Sequence, residues 1–213
     1  MIQNFVYWFE LLAVAVFALT GAIVAARNKM DPVAFIILAT MTGIGGGTIR
    51  DAVLATPAFW LSDPIDLVIC AAVAIMVFLS RATFVEQERH RGPLRVLPWA
   101  DALGLALFAV AGTERALVAG AHPIAAIVLG TITASFGGIL RDVIIGRTTL
   151  IATREIYITA AFLAALVYVV ALSATSHAVI AALLGFVAGF GLRAGAILFG
   201  WSLPTVESWH WKK

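Results

Sequence analysis

The sequence predicts an all-α membrane protein with seven transmembrane helices: an inverted repeat of three plus three helices, and one extra C-terminal helix. Three observations support this fold class: an apolar composition, seven apolar runs between polar connectors, and an internal repeat of constant offset. Of the 213 residues, 62% are hydrophobic and 12% are charged, and the mean hydropathy is +1.01. Soluble domains are about 45–50% apolar and about 25% charged. We therefore expect the lipid bilayer to be the solvent of this chain.

The seven apolar runs have lengths typical of membrane-spanning helices, which need about 20 residues at 1.5 Å each. Pro32, Pro64 and Pro123 stand where a first helical turn tolerates proline. The predicted spans are 5–26, 32–55, 65–80, 97–118, 123–145, 155–173 and 178–200. All of them form a single transmembrane domain, 1–213, with repeat one at about 5–80 and repeat two at about 97–173.

The basic residues predict the orientation of the chain. Seven crossings put the two termini on opposite sides, and ten Lys and Arg residues fall on the side of the C-terminus, against Arg115 alone on the other. By the positive-inside rule, the C-terminus is cytoplasmic and the N-terminus outside, in an inner or plasma membrane. The ten residues are Arg27, Lys29, Arg81, Arg89, Arg91, Arg95, Arg147, Arg154, Lys212 and Lys213.

The loop that carries Arg89, Arg91 and Arg95 also suits anionic lipid headgroups, although the positive-inside bias explains it equally well. The net charge of +2 gives no reason to expect nucleic acid as a partner.

An internal repeat organises the chain. With an offset of 91 residues, positions 10–51 match 101–142 without a gap, with 16 identities in 42 pairs. The matches include Pro32 with Pro123 and the dipeptide Arg50-Asp51 with 141–142, and apolar composition alone does not align such residues. Because the unit holds three helices, its second copy enters the membrane from the opposite side. Inverted repeats of this kind are typical of transport proteins, whose substrate path lies at the repeat interface.

The strongest functional signal is a glycine group followed by Arg-Asp, in TMTGIGGGTIRD of the second span and TITASFGGILRD of the fifth. The glycines lie near the bilayer centre, where they weaken a helix. A broken backbone at that depth is tolerated beside a water-filled cavity and frees carbonyls that can replace the hydration shell of a cation. The alternative is close helix crossing. The candidate pathway residues are Thr42, Gly45, Gly46, Gly47, Arg50, Asp51, Thr133, Ser135, Gly137, Gly138, Arg141 and Asp142.

The Arg-Asp dipeptides leave two interpretations open. An intramembrane charge marks a functional site by default, but these residues also suit a structural ion pair or a side chain that reaches the interface. Glu10 and Asp101 are in register in the repeat, and we expect them to face headgroups rather than line a vestibule. We expect Arg193, which has no repeat counterpart, to reach the cytoplasmic interface.

Other functional classes lack their signals. The glycine run has neither the strand nor the Lys of a phosphate-binding loop, and no nucleophile–base pair appears, so the chain is not expected to be an enzyme. The four histidines lack ligand-like spacing, and no metal site or cofactor is expected.

The duplicated Gly-Gly…Arg-Asp segments and the three-plus-three-plus-one plan resemble the trimeric intracellular cation (TRIC) channel family, especially its prokaryotic members. The pattern is also similar to related bacterial proteins described as glycine transporters. The resemblance implies a homotrimer with one pore per protomer, lined by spans one, two, four and five and permeable to K⁺ and other monovalent cations, Na⁺ among them. It also implies that spans two and five break at their glycines. The Lys-Glu-Val tripeptide of animal members is absent.

The leading hypothesis is therefore a passive monovalent cation channel. In it, Asp51 and Asp142 supply a negative field, and Arg50 and Arg141 pair with them or regulate opening. The alternative is a secondary transporter of a small zwitterion such as glycine, in which an Arg-Asp pair holds the carboxylate and the ammonium. A membrane scaffold is a third possibility.

Overall fold

The protein is described by a computed structural model that covers residues 2–80, 96–146 and 156–203, with side chains from residue 7 onward. Eight helices lie within these ranges. They are α1 Ile2–Arg27, α2 Pro32–Val53, α3 Phe59–Ser62, α4 Ile65–Leu79, α5 Val96–Val118, α6 Pro123–Ile144, α7 Ile158–Thr175 and α8 Ala178–Phe199. Most of the basic loop residues, Arg89, Arg91 and Arg95 among them, lie outside the described residues.

The predicted membrane fold is confirmed. Six of the described helices are long and apolar enough to cross a bilayer, and α4, with 15 residues, is a shorter apolar helix. All seven correspond to predicted spans. The one-turn helix α3 was not predicted, because the segment 56–64 carries two prolines and reads as a turn.

Two of the three predicted prolines lie in the first turn of a helix, whereas Pro64 is the residue just before α4. Pro32 occupies the first turn of α2, and the Asp31 carboxylate accepts a hydrogen bond from the Ala34 N–H at 2.9 Å. Pro123 occupies the same place in α6, where His122 Nδ1 accepts from the Ile124 N–H at 3.3 Å. Proline gives up no hydrogen bond at these positions, because first-turn N–H groups have no partner within the helix.

The two repeats meet in the core with paired contacts. The rings of Phe17 and Phe108, which are repeat counterparts, stack with centroids 5.3 Å apart. A β-carbon added at Gly46 would collide with the Thr133 carbonyl oxygen, and one added at Gly137 would collide with the Thr42 carbonyl oxygen. These two contacts are equivalent by the offset of 91. The central crossing of α2 and α6 therefore requires glycine on both helices.

The expected helix breaks are absent, which corrects the prediction. Both α2 and α6 are α-helical at every residue, through 45–47 and through 137–138. Each glycine within a helix costs about 1 kcal/mol. In this structure close backbone packing offsets that cost, and the helices stay continuous. At Gly46 and Gly137 the structure shows the alternative, close helix crossing.

Helix α8 stands outside the repeat and packs on α7 and α5. A β-carbon at Gly189 would lie 2.6 Å from Ala164 Cβ, and one at Gly185 would lie 2.8 Å from the Ala164 carbonyl oxygen. Small residues thus allow the close approach of α7 and α8, as is common between membrane helices.

Candidate ion pathway

The first charged group, here called the Arg50 group, consists of Glu10, Arg50, Asp51 and Arg115. The guanidinium of Arg50 donates from Nε to Asp51 Oδ1 at 2.8 Å and from Nη1 to Glu10 Oε1 at 3.3 Å. Arg115 donates from Nε to Glu10 Oε2 at 2.9 Å and also pairs with it through Nη2. Arg50 is fully buried, whereas the side chain of Arg115 is 42% exposed.

Asp51 links this group to the short helix α3. Its Oδ2 accepts a hydrogen bond from the Phe59 N–H at 2.8 Å, and the Arg50 guanidinium lies 5.6 Å from the centre of the Phe59 ring. The turn after α2 therefore closes over the arginine and keeps water away from it.

The second charged group, the Arg141 group, consists of Thr20, Asp101, Arg141 and Asp142. Arg141 donates from Nε to Asp142 Oδ1 at 2.9 Å, and from Nη1 to Asp101 Oδ1 at 2.8 Å and to Thr20 Oγ1 at 3.0 Å. Its carboxylate partners are the repeat counterparts of Glu10 and Asp51. The inverted repeat therefore builds the same motif twice: one buried guanidinium between two buried carboxylates.

These contacts correct two predictions and show the partners of the Arg-Asp dipeptides. Glu10 and Asp101 are each 2% exposed and bind the motif arginines, so they do not face headgroups. Arg193 is 4% exposed, with its guanidinium carbon 5.4 Å from the centre of the Tyr157 ring, so it does not reach the interface. The Arg-Asp dipeptides are ion-paired. The signal for the missed acids was present in the sequence, because they share the offset that aligns the dipeptides.

The predicted hydroxyl residues lie deep in the core. Thr42, Thr133 and Ser135 are at most 3% exposed. Each hydroxyl donates to the carbonyl four residues earlier, at 2.6, 2.7 and 2.7 Å respectively. Thr42 Oγ1 would lie 2.7 Å from a β-carbon at Gly21, and its counterpart Thr133 packs against Gly112 in the same way. The hydroxyl oxygens keep free lone pairs at the helix crossing.

The remaining glycines of the motif make less symmetric contacts. A β-carbon at Gly45 would lie 2.6 Å from Leu140 Cδ1, and one at Gly47 would lie 2.5 Å from the Phe59 ring. A β-carbon at Gly138, the counterpart of Gly47, would lie 2.5 Å from the Tyr157 hydroxyl oxygen. Gly47 and Gly138 therefore make room for an aromatic ring beside each charged group.

Both groups place charged side chains in the protein interior, where an unpaired charge is energetically costly. Breaking a buried ion pair by removing one partner leaves the other uncompensated and costs about 3–5 kcal/mol. Each arginine is the positive centre of its group, so its removal would leave two carboxylates inside the membrane. The carboxylates of both groups are closed to solvent in this structure. A cation reaches these carboxylates only if the arginines move.

The comparisons with known proteins agree with this architecture. The family model described as Glycine transporter matches twice, at residues 7–82 and 98–173, one match for each repeat. The UPF0126 inner membrane protein YadS of Escherichia coli K12 is 38% identical over 202 residues, covering 94% of this chain and 95% of YadS.

Solved structures agree as well. A TRIC channel orthologue from Rhodobacter sphaeroides superposes with a TM-score of 0.85 at 44% identity, over 93% of this chain and 100% of that one. A second structure, from work on conductance through TRIC cation channels, has a TM-score of 0.80 at 30% identity, with 92% and 95% coverage. The chain is thus a multi-pass integral membrane protein and not an enzyme, and it belongs to the TRIC channel family, to which the glycine-transporter family model and the UPF0126 proteins also correspond.

Proposed function

We propose that this protein is a passive channel for monovalent cations, K⁺ foremost and Na⁺ as well, with a pathway within each protomer of a homotrimer. The observation that carries the proposal is the whole-length likeness to TRIC cation channels at 44% identity. The duplicated guanidinium–carboxylate groups support it, because buried charges inside a membrane protein are typical of ion pathways. No cofactor is needed for passive conduction.

In this proposal each arginine acts as a gate. Arg50 and Arg141 neutralise the carboxylates beside them while the pathway is closed. When an arginine moves aside, Asp51 or Asp142 faces the pathway and supplies the negative field that attracts cations. Because α2 and α6 are continuous, their carbonyls are engaged in helix hydrogen bonds. The hydroxyl oxygens of Thr42 and Thr133 therefore replace part of the hydration shell at the crossing, together with that of Ser135.

The proposed orientation puts the Arg50 group on the outer side and the Arg141 group on the cytoplasmic side. It is supported by the basic residues, Arg27 and Lys29 among the described ones, which favour the cytoplasm. Anionic lipids are proposed partners of the basic loop between the repeats.

Recording from the purified protein in planar bilayers tests the proposal. We expect discrete single-channel currents in KCl, smaller or altered in open probability for Asp142→Asn, which removes one pathway charge. Asp31→Asn is the matched control, because Asp31 is an exposed helix cap that asparagine replaces equally well, and it should leave the currents unchanged. Saturable glycine uptake by liposomes without unitary currents would contradict the channel and favour the transporter.

A further inference from the structure

Asp66 is a buried acid that the motifs do not include. It lies in the first turn of α4, a helix that packs against α1 and α2, and is 4% exposed. Its Oδ1 has no hydrogen-bond partner among the described residues. A buried carboxylate oxygen without a partner is costly, and in a native protein it normally binds water or an ion.

The surroundings of Asp66 are those of the Arg50 group. Glu10 and Arg115 lie close enough for their charges to act on the Asp66 carboxylate, as does the exposed Asp63 three residues earlier. Arg50 and Arg115 are already engaged with Glu10 and Asp51. Both guanidinium groups at this end therefore pair with other carboxylates. The Asp66 carboxylate adds a further negative charge beside them.

The repeat shows that this excess belongs to one end only. With the offset of 91, the counterpart of Asp66 is Tyr157, which is 1% exposed and lies beside the Arg141 group. Tyr157 carries no charge as a phenol, and the Arg193 guanidinium covers its ring. The Arg50 end thus has three buried carboxylates, on Glu10, Asp51 and Asp66, and the two guanidinium groups of Arg50 and Arg115. The Arg141 end has two buried carboxylates, on Asp101 and Asp142, and the two guanidinium groups of Arg141 and Arg193.

We propose that the unpartnered Asp66 Oδ1 binds a partly hydrated monovalent cation and makes the Arg50 end the one at which cations collect. The inference rests on the proposed function, of which it names the entry site. The bound cation supplies the positive charge that the Arg50 end lacks. Fixed negative charge raises the local cation concentration at one mouth, so cations pass more readily from that end than from the other.

Binding is tested without any current. The thermal unfolding midpoint of the detergent-purified full chain is measured across KCl concentrations, with N-methyl-D-glucamine chloride at equal ionic strength as the reference. A ligand that binds only the folded state raises this midpoint. We expect K⁺ to raise it for the wild type and for Asp63→Asn, an exposed acid with the same charge change. For Asp66→Asn the K⁺ concentration needed should rise by about tenfold or more, as befits the loss of a buried charge.

Conduction is tested separately. Currents are compared at equal and opposite voltages in symmetric low-concentration KCl, with the orientation of the inserted channels fixed by protease cleavage of a C-terminal tag. We expect the wild type and Asp63→Asn to pass larger cation currents from the Arg50 end, and Asp66→Asn to lose this asymmetry.

The outcomes separate the two proposals. A K⁺-dependent shift that Asp66→Asn leaves unchanged overturns the cation site, and so does an asymmetry unchanged by that substitution, even while the channel function stands. A K⁺-dependent shift that depends on Asp66 in a protein without currents would keep the site and overturn the channel. An equal effect of Asp63→Asn would assign the asymmetry to surface charge and overturn the role of Asp66.

Discussion

At the scale of single residues, the decisive feature is a guanidinium held between two carboxylates, built twice. Arg50 and Arg141 are both buried, and each binds its neighbouring aspartate and an acid forty residues earlier. Buried charges of this kind are stable only when they are paired with opposite charges, because the membrane interior offers no water to replace a lost partner. The arginines therefore hold the carboxylates of their group inside the protein.

The Arg141 group allows a direct test of this coupling. Arg141→Gln should lower the free energy of unfolding by about 3–5 kcal/mol, because Asp101 and Asp142 lose their shared cation. Adding Asp101→Asn should restore part of that loss. The measurement is chemical unfolding of the purified protein in detergent, arranged as a double-mutant cycle.

Arg115→Gln is the control for that cycle. Its side chain is 42% exposed, and Arg50 still pairs with Glu10 when Arg115 is replaced, so the loss of Arg115 should cost less than the loss of Arg141. Equal effects of Arg115→Gln and Arg141→Gln would contradict the view that burial makes the Arg141 pairs critical.

At the scale of helices, the glycines determine how closely α2 and α6 approach. Gly46 and Gly137 each contact a threonine carbonyl on the other helix, and the contacts are exchanged by the repeat. Because the obstacle is backbone, it cannot turn aside as a side chain can. The crossing therefore fixes how far apart α2 and α6 lie.

Gly46→Ala and Gly137→Ala should each destabilise the protein by about 1–3 kcal/mol, as overpacking does in other cores. Gly191→Ala in α8 is the matched control, since a β-carbon there meets no atom within 4 Å. It should be neutral or stabilising by up to about 1 kcal/mol, because alanine favours a helix more than glycine does. Thermal unfolding midpoints compare the three variants, and a drop for Gly191→Ala as large as for Gly46→Ala would refute the crossing explanation.

At the scale of the whole molecule, the inverted repeat gives two similar ends that differ in charge. Asp66 at one end corresponds to Tyr157 at the other, and α8, which has no repeat counterpart, adds Arg193 beside Tyr157. The unrepeated helix thus alters one end of an otherwise symmetric arrangement of charged groups.

The proposed homotrimer predicts a defined mass. Native mass spectrometry of the detergent-extracted protein should give three copies of the 22.5 kDa chain. The same species should dominate when the protein is diluted, since permanent interfaces of membrane oligomers persist at low concentration. A monomer at all concentrations would contradict the homotrimer.

The sequence alone determined the solvent of this protein, its helices and its duplication. Composition and run length locate helices because a bilayer requires about 20 apolar residues for each crossing, and the offset of 91 residues exposed the repeat. Glu10 and Asp101 were visible in that register, but their burial was not, since a position near a span end fits headgroups as well as a neighbouring arginine.

Only the tertiary structure decided how the motifs pack and pair. Glycine within a membrane helix fits either a break or a close crossing, and the choice depends on which backbone lies opposite, here Thr42 for Gly137 and Thr133 for Gly46. Likewise, the sequence does not show that Asp66 lies beside the Arg50 group. The partners of a buried charge come from distant parts of the chain, and no local pattern specifies them.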